Sequence, residues 1–161
     1  MPMKNNHKEQ GFTLIEVLIA LVVLAVGLLG MATLMTTSVQ SSQGAYRRSQ
    51  ASLMVYDLVE RMRVNHSQAI SSNDYTLASG AADSTAPSCN TAGCTPQQQA
   101  QMDLFQWRGA LKTALPDATA TVGRVAPNKY TITVNWSESG SNVTNSSSQT
   151  ITPSFSLRID L

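Results

Sequence analysis

The sequence holds few residues with which to do chemistry. Its 161 residues include two histidines, two cysteines and 21 charged side chains, 11 basic and 10 acidic. A net charge of +1 leaves no excess of one sign. That excludes a strongly basic nucleic-acid binder and an acidic solvating tail. Arg47-Arg48 is too small a basic patch to predict DNA binding, so nucleic acid is not an expected partner. There is no glycine-rich phosphate loop, no HExxH and no cluster of carboxylates. No proline lies between Phe12 and Pro87, so nothing in that stretch forces a helix to break.

What is present is unevenly spread. From Phe12 to Met35 the chain reads FTLIEVLIALVVLAVGLLGMATLM, with 19 of 24 residues apolar, and the remainder is rich in Ser and Thr. As a helix this run extends roughly 36 Å, enough to cross a hydrocarbon core of about 30 Å. Its Leu, Ile, Val and Phe residues favour insertion by roughly 4 to 8 kcal/mol. A buried core helix is the alternative, but 24 residues without a polar face is too long for a domain of this size. Residues 12–35 therefore read as the membrane-spanning half of a helix.

Glu16 is the exception within it. A carboxylate at the bilayer centre costs about 2.5 to 3.5 kcal/mol, and less near an interface. The neighbouring apolar residues offset that cost without giving a reason for the acid. An ionisable group there needs a partner, or else its side chain snorkels back to the headgroups. Ahead of the run, MPMKNNHKEQG carries Lys4 and Lys8, which suits a cytoplasmic N-terminus. Two processing routes fit. A conventional signal would use Val17 to Leu29 as its apolar region and be cut after Gly30-Met31-Ala32, before Thr33. In the other route the cut falls between Gly11 and Phe12 and the apolar helix is kept.

The residues Gly11-Phe12-Thr13-Leu14-Ile15-Glu16, followed by an uninterrupted apolar helix, resemble the processing signal of type IV prepilins and type II secretion pseudopilins. The resemblance implies cleavage after Gly11 by a prepilin peptidase and N-methylation of the new terminus at Phe12. It also gives Glu16 a role in assembly. Its carboxylate would meet the amine of a neighbouring subunit's Phe12 and set the axial register. An unpaired ammonium beside an apolar helix is expensive, so a counter-charge is needed. Pairing within one chain competes, because Glu16 follows Phe12 by four residues. Val59-Glu60-Arg61-Met62-Arg63-Val64-Asn65, with the loop and length that follow, is similar to PilV-type minor pilins.

Beyond Met35 the helix is expected to continue to about Asn65. Val39, Tyr46 and Leu53 recur at seven, and Ala51, Val55, Leu58 and Met62 at three and four, which reads as one amphipathic stripe. Asp57 and Arg61 are spaced for an i,i+4 pair, and Arg61 and Arg63 suit the helix's C-terminal dipole. Gly27, Gly30 and Gly44 weaken the helix locally by about 1 kcal/mol each relative to Ala.

Residues 66–95 read as a long loop. It contains Cys89 and Cys94, the only cysteines. In the oxidising compartment reached after translocation, such a pair forms a disulfide. A metal site needs more ligands than this chain offers, since His66 is the one histidine left once the leader is removed. The same shortage leaves Ser and Cys without a histidine base, so no enzyme is expected.

Thr95-Pro96-Gln97-Gln98 opens a second helix with a capping box and a proline at its first position, and Pro116 ends it. Leu104, Trp107, Leu111 and Leu115 lie on one face of that helix. Tyr130, Ile132, Val134 and Trp136 alternate with polar residues, and Ile151, Phe155, Leu157, Ile159 and Leu161 share one parity. With a weaker strand near Ala118–Val125, and turns at Pro127-Asn128 and Ser139–Ser148, these form an antiparallel meander. One face covers the long helix, and the other is a solvated Thr/Ser/Asn face. Pro153 suits an edge or a bulge. The sequon Asn142-Val143-Thr144 carries little weight in a chain that resembles a bacterial protein.

The expected fold is α+β and type IV pilin-like. It divides into a leader at 1–11, a transmembrane half-helix at 12–35, an amphipathic half-helix at 36–65 and a globular head at 66–161. The function the resemblance implies is that of a minor pilin of a type IV pilus, supporting pilus assembly, adhesion or twitching motility. Its partners would be other major and minor pilins, the prepilin peptidase, the inner-membrane assembly platform and, before assembly, membrane lipid. No cofactor, metal or small-molecule substrate is expected. The chain would sit in the bacterial inner membrane, N-terminus cytoplasmic, and later in a pilus on the cell surface. The alternatives are a type II secretion pseudopilin and a secreted binding domain released from a conventional signal peptide.

Overall fold

The first helix, α1 (Leu14–Val64), runs for 51 residues. The computed structural model describes residues 11–82, 85–89, 91, 93–137 and 152–161. Two compact units divide the chain, Met1–Ser41 and Ser42–Leu161, and α1 continues from one into the other.

In the first unit every described residue is exposed. Three hydroxyls at the end of the apolar run turn back onto their own helix. Thr33 donates to the Leu29 carbonyl at 3.0 Å, Thr36 to Ala32 at 2.9 Å and Thr37 to Thr33 at 3.0 Å. A hydroxyl satisfied in this way does not need water, which suits a helix surrounded by lipid.

The second unit holds the core. After α1 come α2 (His66–Ser71), α3 (Pro96–Ala114), β1 (Thr119–Ala126), β2 (Lys129–Asn135) and β3 (Ser154–Asp160). Ala51, Val55, Leu58, Val59 and Met62 of α1 cluster with Ala100, Leu104, Trp107 and Leu111 of α3 and with Val122, Tyr130, Ile132 and Val134 of the sheet. At about 1.5 to 3 kcal/mol for each large side chain removed from water, this cluster dominates the stability of the unit. Trp136, one residue past β2, is also buried.

The sheet is an antiparallel meander in the order β1-β2-β3. Its registers place Val122 opposite Ile132 and Ile132 opposite Leu157. The predicted parity of β2 is therefore the observed one, with Tyr130, Ile132 and Val134 inward. The third helix begins and ends where its caps predict. Thr95 accepts from the Gln98 amide at 3.2 Å while the Gln98 side chain accepts from the Thr95 amide at 2.9 Å, and Pro96 occupies the first turn.

Two expectations need correction. Val39, Tyr46 and Leu53 do not share the buried stripe; they are 50%, 62% and 55% exposed, whereas Ala51, Val55 and Leu58 are fully buried. The reason is angular. At about 100° per residue, Leu53 stands roughly 200° from both Ala51 and Val55. The helix thus has two stripes, and the sheet and α3 cover only one. Residues 66–95 are also not loop throughout. His66–Ser71 forms α2, and Leu77 bridges to Val122 of β1 through two backbone hydrogen bonds of 2.9 Å each. Neither feature carries a periodic local signal. Ala69 is buried in the core, and the Tyr130 hydroxyl donates to its carbonyl at 2.6 Å, so the turn is held from outside. The leader residues Lys4, His7 and Lys8, the Ser139–Ser148 turn, the sequon at Asn142 and Ile151 lie outside the described residues.

Candidate processing and assembly segment

Gly11, Phe12 and Thr13 precede α1 and are exposed, Phe12 to 81%. Thr13 closes the helix end. Its carbonyl accepts from the amides of Glu16 at 3.1 Å and Val17 at 3.3 Å, and its hydroxyl lies 3.4 Å from the Glu16 amide. A threonine in this position satisfies donors that have no partner within the helix. The Gly11–Phe12 bond is therefore accessible and lies just outside the regular hydrogen-bonded ladder.

Glu16 lies in the first turn of α1. The positive end of the helix dipole favours a carboxylate there. Among the described residues no cation or hydrogen-bond donor meets that carboxylate. Around it Leu14 is 87% exposed and Ile15 66%, so the acid is set in an apolar surface that no other described residue folds over.

That surface continues along the helix. No part of its most apolar window is buried within the chain, and the helix is long and apolar enough to cross a membrane. A Cβ added at Gly27 or Gly30 would meet nothing within 4 Å, so packing inside this chain does not account for either glycine. Lipid or other helices must cover such a continuous apolar surface.

The second unit is locked by polar contacts that link distant segments. Cys89 and Cys94 form a disulfide directly ahead of α3. Gln98 donates to the Ser88 carbonyl at 2.8 Å, joining the bridged loop to the helix cap. The sequence spacing anticipated the Asp57–Arg61 pair, found at 3.0 Å, but not its continuation. Arg61 also donates to Gln106 at 3.0 Å and lies 3.7 Å from Asp103, a buried acid that accepts from Tyr75 at 2.6 Å and from Gln99 at 2.8 Å. Burial first, and then the Asp103 hydrogen bond, raise the Tyr75 phenol well above its ordinary pKa of 10.0. Burial likewise raises Tyr130. Hydrogen bonding from Ser72 is the largest influence lowering the Asp74 carboxyl. Arg124 spans from the β1–β2 turn, at Pro127, to Asn73 and the Ile70 carbonyl. No local pattern pairs Asp103 with Tyr75, or Arg124 with Asn73 and Ile70, because those contacts join segments far apart in sequence.

Among the described residues no three His, Cys, Asp or Glu side chains are grouped to hold a metal ion. His66 is exposed at the start of α2. The arrangement therefore consists of an accessible junction, an acid on an apolar helix and a rigid, cross-linked second unit.

Comparison with known proteins agrees with that arrangement. A family model described as type IV pilin Tt1218 matches residues 33–105, and a model of the prokaryotic N-terminal methylation motif matches residues 6–32. The second match contains Gly11, Phe12 and Glu16. No curated protein and no solved structure matches the chain. The apolar N-terminal helix and the methylation motif fit a membrane-anchored pilin that is later assembled into a pilus. By these two matches and by its fold, a long N-terminal helix packed on a small antiparallel sheet, the chain belongs to the type IV pilins.

Proposed function

We propose that the chain is a minor pilin of the PilV type, made as a prepilin, cut between Gly11 and Phe12 and methylated at the new terminus. The methylation-motif match over residues 6–32 supports this reading, since Gly11 and Phe12 fall within it and are exposed ahead of an apolar helix. After the cut, Phe12 bears an ammonium group beside a surface that offers it no hydration. Glu16, whose carboxylate meets no cation among the described residues, supplies the counter-charge to the Phe12 amine of a neighbouring subunit. The helix between them is the contact surface, in lipid before assembly and against other pilins after it. The second unit supplies the outward-facing part, with its polar sheet face toward solvent.

In this reading the protein is a structural subunit and no reaction proceeds on it. Its N-terminus faces the cytoplasm, where the peptidase acts, and the inner-membrane assembly platform then lifts it into the filament. Support for pilus assembly, adhesion and twitching follows from its incorporation.

The mass of the N-terminal peptide of the native chain tests this directly. A peptide starting at methylated Phe12 is expected. A chain starting at Thr33, or one that keeps residues 1–11, overturns the reading. Deleting the gene separates a pilus subunit from a secretion pseudopilin: loss of surface pili with intact protein secretion is expected, and the reverse result favours the pseudopilin.

A further inference from the structure

The outer edge of β3 takes no backbone hydrogen bond from any described residue. Trp136 N–H donates to the Pro153 carbonyl at 3.0 Å, and Leu161 N–H donates to the Asn128 carbonyl at 2.8 Å. With the β2–β3 register, these two bonds fix the phase of the ladder. Odd-numbered residues of β3 bond inward to β2. The N–H and C=O groups of Ser154, Ser156, Arg158 and Asp160 point outward. The opposite edge differs, because Leu77 bonds to Val122 there.

The two faces of β3 differ in chemistry. Phe155, Leu157, Ile159 and Leu161 pack against the core but are only partly buried, so an apolar row runs along the open edge. On the other face, Arg158 has no hydrogen bond or ion pair among the described residues. Asp160 takes only a long contact of 3.8 Å from Lys129, with both side chains 58% exposed, and a hydrogen bond from Asn128. Such an exposed pair contributes little. Open ladder groups beside an incompletely covered apolar row invite another strand.

The sequence of β3 selects the occupant. Laid antiparallel against a copy of itself with the faces matched, β3 has three central registers. Centring on Arg158 sets that residue against its own copy, a like-charge clash. Centring on Leu157 sets both charges opposite serines. Centring on Ile159 sets Arg158 opposite Asp160 twice, Leu157 opposite Leu161 twice, and Ile159 opposite itself. We propose that β3 is a self-complementary edge on which a second copy of this chain docks antiparallel about Ile159, joining two three-stranded sheets into one of six. Backbone bonds from Arg158 and Asp160 of each copy close the ladder, and the two Arg–Asp cross-strand pairs fix the register. A twofold contact closes at two copies, so this pairing is separate from any head-to-tail polymer contact and does not rest on the pilin reading. The strand is short, so the dimer is weak in dilute solution and is favoured where two chains share one membrane.

Cysteine cross-linking of the full chain in detergent micelles or vesicles tests the pairing. Opposed residues in the non-hydrogen-bonded positions of an antiparallel pair stand about 4.5 Å apart at Cα, within disulfide reach. Under mild oxidation, Ile159→Cys is expected to give a covalent dimer while Cys89–Cys94 remains intact by peptide mapping. In that background, Arg158→Asp sets Asp against Asp twice and is expected to lower the dimer yield by about tenfold. Combining Arg158→Asp with Asp160→Arg restores the opposite charges and is expected to restore the yield. A dimer through Leu157→Cys with none through Ile159→Cys overturns the register. Absence of both dimers, open-ended aggregates in place of a dimer, or failure of the charge swap to rescue overturns the docking.

Discussion

The indole N–H of Trp107 donates to the backbone carbonyl of Met54 at 2.7 Å, across 53 residues of sequence, from α3 into the side of α1. The ring itself is fully buried. One side chain thus serves both as the centre of the α3 apolar stripe and as the polar tie between two helices that contribute to the core. A buried indole finds a partner for its N–H, and here the partner is a helix carbonyl on the face that packs inward.

Replacing Trp107 by Phe keeps most of the apolar volume and removes that bond. The expected loss is about 1 to 3 kcal/mol of unfolding free energy, whereas Trp107→Ala should cost about 3 to 5 kcal/mol. Denaturant unfolding of the detergent-solubilised chain measures both. Equal losses for the two variants would show that the hydrogen bond and not the ring volume dominates.

Alkaline pH should loosen the second unit. Tyr75 and Tyr130 have folded pKa values above their unfolded ones. Their contribution is complete below the unfolded value near 10 and is lost as pH rises toward the folded values, because the unfolded chain releases those protons first. In that window stability should fall with pH, by up to about 1.4 kcal/mol per pH unit for Tyr75. Tyr75→Phe should therefore make the decline between about pH 10 and 11 shallower. An unchanged slope in that variant would show that other groups govern the alkaline transition.

The capping box at α3 gives a smaller, local prediction. Thr95→Ala removes the acceptor for the Gln98 amide and should cost about 0.5 to 2 kcal/mol. Thr95→Ser keeps the hydroxyl and should cost less. The melting temperatures of the two variants decide, and an Ala variant that melts with the parent chain would count against the cap.

Reduction of Cys89–Cys94 opens a loop of only a few residues, so it should cost about 2 kcal/mol in the chain-entropy picture and leave the unit folded. Amide exchange should rise first at the start of α3, which is tied to the bridged loop through Gln98 and Ser88. Protection that falls evenly across the sheet would contradict that assignment.

Glu16→Ala should leave membrane insertion and cleavage intact while reducing incorporation into pili. Loss of one charge-assisted contact of about 1.5 to 3 kcal/mol corresponds to tenfold or more. The ratio of this chain in sheared pili to that in membranes reports it. Incorporation at the parent level would remove Glu16 from the assembly contact.

The sequence by itself determined the apolar run, the acid within it, both ends of α3 and the inward parity of β2. These are local signals: a hydropathy run, a cap spanning four residues, and an alternation of two. The tertiary structure alone decided which stripe of α1 is buried, since Leu53 and Val55 are both apolar and only the position of the sheet and α3 distinguishes them. It also decided that Asp103 is buried beside Tyr75, that Leu77 reaches Val122, and that the outer edge of β3 stays open among the described residues. Each of those outcomes depends on contacts between segments many residues apart, where the energy comes from mutual burial and hydrogen bonding and not from any pattern within one segment.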